Sequence, residues 1–301
     1  MRYLSFKPPG ESEERLGALL SGEKVVSLQS DEVPGNMLGL IQAGEDAWKQ
    51  AALVAAKAET SWALAEVSVI APLRPPSLRD YYAFEEHVAT AHANRGKEVP
   101  KEWYEVPVFY FSNPNPIYGP GEEMPMPSTT MELDFELEVA AIIGKAGQDI
   151  AAENAMEHIF GFTIFNDWSA RDVQRQEMKV GLGPAKGKDF ASSLGPVIVT
   201  PDELVEFSND RDGVYELEMT ARINGEEFSR GNWNSLHYSF GEMIARASES
   251  VELFPGDVIG SGTVGTGCLL ELTKGKGPWL KKGDLVELEI EGIGILANRV
   301  G

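Results

Sequence analysis

Apolar and polar residues alternate most regularly in the second half of the chain, and that period predicts strands. Over residues 215–223, Tyr215, Leu217, Met219, Ala221 and Ile223 interleave with Glu216, Glu218, Thr220 and Arg222, as in a half-buried strand. Asn224 and Gly225 follow as a tight hairpin turn. Two later stretches, LFPGDVIGSG and LKKGDLVELEIEG, each set a Gly-Asp turn ahead of an apolar strand. Helical spacing is rarer there. It predicts one helix after Leu78, one near residues 153–160 and one near residues 241–248.

The front of the chain reads differently. Short strand-like pieces at residues 2–6 and 24–27 precede an Ala-rich stretch, residues 46–58, that predicts a helix. APLRPPSLRD follows, and Pro72, Pro75 and Pro76 mark it as an extended linker. The expected fold class is therefore α+β and mostly β. A small N-terminal α/β domain, residues 1–70, precedes a large β domain of barrel or roll type, residues 71–301, with helices packed outside.

Composition narrows the function. A formal charge of −21 with no basic patch argues against nucleic acid, whose phosphates are bound by clustered Lys and Arg. Cys268 is the only cysteine, which excludes an internal disulfide and a multi-cysteine zinc site. MRYLSFKPPG lacks the apolar run of a signal peptide and no segment reaches membrane-spanning length, so a soluble cytoplasmic protein is expected. Two Gly-rich segments are decoys. Gly260, Gly262 and Gly265 fit GxGxxG, but the strand-like CLLEL follows where a helix is needed; the loop Gly183–Lys188 has the wrong spacing for a phosphate loop, and Asp189 replaces Ser or Thr.

Candidate chemistry concentrates in four segments. In MELDFELEVAAIIG, alternation puts Glu132, Asp134, Glu136 and Glu138 on one face of a strand, either solvated or gathered at a site. Same-face neighbours lie about 7 Å apart, so long carboxylates can converge. Each like-charge pair at about 4 Å then costs on the order of 4 kcal/mol at an effective dielectric of about 20, which a divalent cation would remove. An oxygen-only set favours Mg²⁺, Mn²⁺ or Ca²⁺ over zinc. FGFTIFNDWSARDVQRQE ends an apolar strand at Asp167, a helix cap or a ligand, and places Arg171 and Gln174 on one helix face. In SLRDYYAFEEHVATAHANRG, a helix would align Asp80, Phe84, His87 and Ala91. His92, His158 and His237 show no acidic companion. In SGTVGTGCLLELTKGKG, Glu271 sits in an apparent strand, solvated or buried and paired.

Together, ELDFELEVA, FNDWSARDVQ, LGPAKGKDF, GSGTVGTGCLLEL and the terminal EGIGILANRV resemble the fumarylacetoacetate hydrolase family, in matching order from Asp80 onward. The resemblance implies a divalent metal, Mg²⁺ first, on Asp80, Glu136, Glu138 and Asp167. It implies His87 as general base with Glu271 as its acidic partner, and substrate contacts at Tyr82, Arg95, Tyr110, Arg171, Gln174, Lys188 and Thr263. It also implies a mixed β-roll, a homodimer, and a small anionic keto acid as substrate. The activity expected first is hydrolytic cleavage of a C–C bond in a 1,3-diketo acid. Decarboxylation or enol–keto isomerisation of an oxaloacetate-like acid is the alternative.

Overall fold

The computed structural model describes residues 1–301. Its strands build a twelve-stranded mixed sheet and a five-stranded sheet, with the pair Leu133–Asp134 and Ser169–Ala170 beside them. The central strand of the large sheet, Leu137–Ile143, lies antiparallel between Ile159–Asp167 and Val258–Gly260. All of its residues are buried. Leu137, Val139, Ala141 and Ile143 face the main core, shared with the five-stranded sheet, while Ala140 and Ile142 face a smaller core behind. A strand covered on both faces has no solvated side, so its Glu138 cannot be a surface charge.

The five-stranded sheet is built on the hairpin seen in the sequence. Glu218–Ile223 and Glu226–Asn232 are joined at Asn224 and Gly225, whose φ angles of 53° and 83° are the left-handed pair that a two-residue hairpin needs. The helix Phe240–Ser248 starts at a capping box in which Ser239 and Glu242 satisfy each other's amides.

The N-terminal segment extends the large sheet. Its strand Arg2–Lys7 pairs antiparallel with Ser192–Val199, and Arg15–Leu20 and Lys24–Ser27 follow outward. The helices Met37–Ala43 and Glu45–Lys57 bury Met37, Leu40, Ile41, Ala51 and Ala55 with Phe160, Leu194 and Ile198. Residues on both sides of the Pro-rich linker thus share one sheet and one core.

Three local expectations change. Leu78–Tyr81 is a strand, parallel to Val258–Gly260, and the helix after it is Glu85–Ala93. Asp80 and Phe84 therefore precede the helix, and only His87 and Ala91 share its face. CLLEL is not a strand, because Leu269–Leu272 forms one helical turn. Residues 153–160 divide into the 3₁₀ segment Ala152–His158 and the start of the strand at Ile159. No helix is long and apolar enough to cross a membrane.

Candidate active site

Strand ends gather four carboxylates at one point. Asp80 comes from Leu78–Tyr81, Glu138 from the central strand and Asp167 from the last residue of Ile159–Asp167. Glu136 precedes the central strand, at a break where its amide donates to the Asn166 side chain at 3.0 Å instead of continuing a ladder. All four side chains are buried, with one oxygen of each within 4.8 Å of the others. Gly260 beside them is constrained, since a Cβ there would lie 2.6 Å from Asp80 Oδ1.

The donors around this quartet do not balance it. Lys188 Nζ donates to Glu136 and, at 2.5 Å, to Asp167. Arg171 Nη2 lies 2.7 Å from Glu136, and Tyr110 donates its hydroxyl to Asp167. The Gly262 amide reaches both Asp80 (3.2 Å) and Glu138 (3.0 Å), and the Thr263 hydroxyl donates to Glu138 at 3.3 Å. Asp167 Oδ1 is buried with no partner at all.

Burial, then the charge of Asp167, pushes the Asp80 carboxyl well above its ordinary range. Burial, then Asp80 and Glu136, does the same to Glu138. For Glu136 burial acts upward, but Lys188 and Arg171 outweigh it and hold the group low. Four buried acids with an orphaned oxygen and only two cations fit a divalent cation. The oxygen-only donor set suits a hard ion.

Asp80, Glu136 and Glu138 of the quartet, with Asp167 behind them, line the floor of a cavity of about 320 Å³. On its wall is His87, 4% exposed, whose Nδ1 is hydrogen-bonded to a Glu271 oxygen. The other Glu271 oxygen accepts from the Thr266 amide, so the one-turn helix aims the carboxylate back at the imidazole. Nδ1 is thereby engaged as donor and Nε2 is left to accept a proton. Tyr82 packs edge-on to the His87 ring, with centroids 5.2 Å apart.

Arg171, Gln174, Lys188, Tyr110 and Thr263 line the same cavity, with exposed Arg95 at its outer side. Gln174 accepts from Arg171 Nη1 at 3.1 Å, consistent with their shared helix face. The structure thus brings the sequence candidates together, on the wall or directly behind it.

Asp134 was grouped with the acidic face but has a different place. It is fully buried, accepts from Arg171 Nε and from the Leu269 and Leu270 amides, and so fixes both Arg171 and the turn carrying Glu271. Its position in the alternation was the only signal in the sequence. Glu177 was not singled out. Its carboxylate accepts from the Ala185, Lys186 and Gly187 amides, so these amides of the Gly-rich loop are already engaged within the chain. The Gly262 amide is taken likewise by Asp80 and Glu138. His237 does have an acidic neighbour, Glu85, at 3.7 Å, on the surface.

Residues 77–301 match the fumarylacetoacetate hydrolase C-terminal family. A human mitochondrial protein named oxaloacetate tautomerase is 33% identical over 100% of this chain and 91% of its own length. The oxaloacetate tautomerase YisK of Bacillus subtilis strain 168 is 29% identical, covering 95% of this chain and 96% of that one. Among solved structures, a fumarylacetoacetate hydrolase from Exiguobacterium antarcticum superimposes with a TM-score of 0.78 at 27% identity, covering 100% of this chain and 99% of that one. A 5-carboxymethyl-2-hydroxymuconate delta-isomerase from Mycobacterium smegmatis gives 0.70 at 28% identity, with the same coverage. With three quarters of its length inside the family match, this chain belongs to the fumarylacetoacetate hydrolase family.

Proposed function

We propose that the protein interconverts the keto and enol forms of oxaloacetate or a closely related 2-oxo dicarboxylic acid. The observation that carries this reading is the His87–Glu271 dyad, with His87 on the wall of a cavity whose floor includes Asp80, Glu136 and Glu138 of the carboxylate quartet. Relatives spanning nearly the whole chain and named oxaloacetate tautomerases support it over the C–C hydrolysis expected first.

Asp80, Glu136, Glu138 and Asp167 are the residues that would hold the cation, Mg²⁺ on the chemistry of the donors. Bound there, it would act as a Lewis acid toward the 2-oxo group of the substrate. His87 takes a proton from C3 at Nε2 and returns it to the 2-oxygen, or the reverse. Glu271 holds the ring and stabilises the imidazolium between the two steps. Lys188 and Arg171 place positive charge where the enolate develops, so an anionic intermediate is tolerated in a strongly acidic protein. Gln174, Tyr82, Tyr110, Thr263 and Arg95 shape and orient the substrate.

Hydrolysis of a 1,3-diketo acid is the second reading. The same dyad can deprotonate a water, and the Exiguobacterium structure carries a hydrolase name. A UV assay separates the two. Enol oxaloacetate should lose its absorbance faster with enzyme and Mg²⁺, with no release of pyruvate or CO₂. Rapid cleavage of acylpyruvates or fumarylacetoacetate, with no effect on enol decay, would reverse the assignment.

A further inference from the structure

Behind the cavity wall lies a second cluster of metal-ligating groups. A ring nitrogen of His87, the Cys268 sulfur and a Glu271 oxygen lie within 4.8 Å of one another, all on buried side chains. A buried free cysteine is usually a small hydrophobe among apolar neighbours. Cys268 instead faces an imidazole and a carboxylate. Glu271 is engaged by His87 and the Thr266 amide, and the Leu269 and Leu270 amides go to Asp134. The sulfur, at 0% exposure, is left without a hydrogen-bond partner and aimed into the cluster.

We propose that His87, Cys268 and Glu271 form a site for a soft divalent cation, Zn²⁺ or Cd²⁺, separate from the oxygen-only quartet, and that filling it stops proton transfer. Thiolate and imidazole ligands select such ions, whereas the carboxylates of the quartet select hard ones. Burial, with Asp134 next, pushes the Cys268 thiol well above its ordinary range, so at rest it is neutral. Binding forms a metal–sulfur bond and releases the thiol proton to solvent. The cation takes the His87 Nδ1 lone pair as the Nδ1 proton passes to Nε2, which can then no longer act as base, and it draws Glu271 away from the ring. The loss of activity rests on His87 being the proton carrier; the binding itself does not.

The test uses the Mg²⁺-loaded protein titrated with Cd²⁺, reading the cadmium–thiolate absorption band and tautomerase activity together. The expected result is a band that saturates at one thiolate per chain while activity falls in parallel. Cys268→Ser should keep basal activity within about twofold, lose the band, and need at least about tenfold more Cd²⁺ for inhibition. No band in the unmodified protein, or equal sensitivity of Cys268→Ser and wild type, would overturn the site. The band is read without any substitution, so a variant that fails to fold does not weaken the test. A saturating band with undiminished activity would uphold the site and count instead against His87 as proton carrier.

Discussion

Asp134 and Asp167 are both fully buried and each faces one buried cation, Arg171 and Lys188 respectively, yet their surroundings are opposite. Arg171 and two successive amides close around Asp134. Asp167 meets Lys188 and Tyr110 through one oxygen and nothing through the other, with three more carboxylates alongside. Burial raises both groups, and in each a cation opposes it: Arg171, with the amides, at Asp134 and Lys188 at Asp167. A buried charge whose lone pairs are all used by the fold holds the fold together. One left partly unsatisfied among like charges is a place for a ligand.

That contrast can be broken by substitution. The largest effect on rate belongs to the dyad that works above the quartet. His87→Ala should lower kcat by about 10²–10⁴-fold while calorimetric Mg²⁺ affinity stays nearly unchanged. Lys188→Met should lower kcat by about 10²-fold or more in the same assay. Unchanged turnover in either variant removes that residue from the mechanism.

The two aspartates should then part company in stability. Asp134→Ala strands part of a buried guanidinium and two amides, so chemical denaturation should show a loss of about 3–5 kcal/mol. Glu138→Gln replaces one of four crowded acids, whose burial raises its carboxyl, with a neutral amide that can still accept from the Gly262 amide. The metal-free protein should be unharmed or gain about 0.5–2 kcal/mol, while Mg²⁺ binding is lost. Equal destabilisation by the two changes would erase the distinction.

The smallest effect is a dependence on pH. Asp80 and Glu138 are raised, so above the ordinary carboxylate range the folded metal-free protein holds protons that the unfolded chain has released. Its stability should therefore fall as pH rises through that window. A bound cation replaces those protons, so the Tm gain from Mg²⁺ should grow from about pH 5 to about pH 8. A gain that is flat across that range would show that no protons leave on binding.

The apolar runs ELEVAAIIG and FTIFND marked Glu136, Glu138 and Asp167 as candidates, because a charge there has little solvent to face, while the full set with Asp80 came from the family resemblance. The sequence misled where pattern and burial diverge. Alternation over residues 132–138 suggested one continuous strand. The break at Glu136 depends on the distant Asn166 side chain, which no local period reveals. Leu269–Leu272 is a single turn, too short to display a helical repeat, so CLLEL passed for a strand. That turn is what points Glu271 at His87. The role of Asp134 was hidden for the same reason: its partners are 37 and 135 residues away in the chain.

The most direct test of the central claim follows the proton itself. Oxaloacetate in D₂O, with Mg²⁺ and enzyme, is followed by NMR for deuterium entry at C3 and for every product formed. Wild type should speed exchange at C3 with oxaloacetate carbon conserved, and His87→Ala should return exchange to the uncatalysed rate. Release of pyruvate or a cleaved acid as fast as exchange, or full exchange in His87→Ala, would contradict proton transfer by this dyad as the reaction of the site.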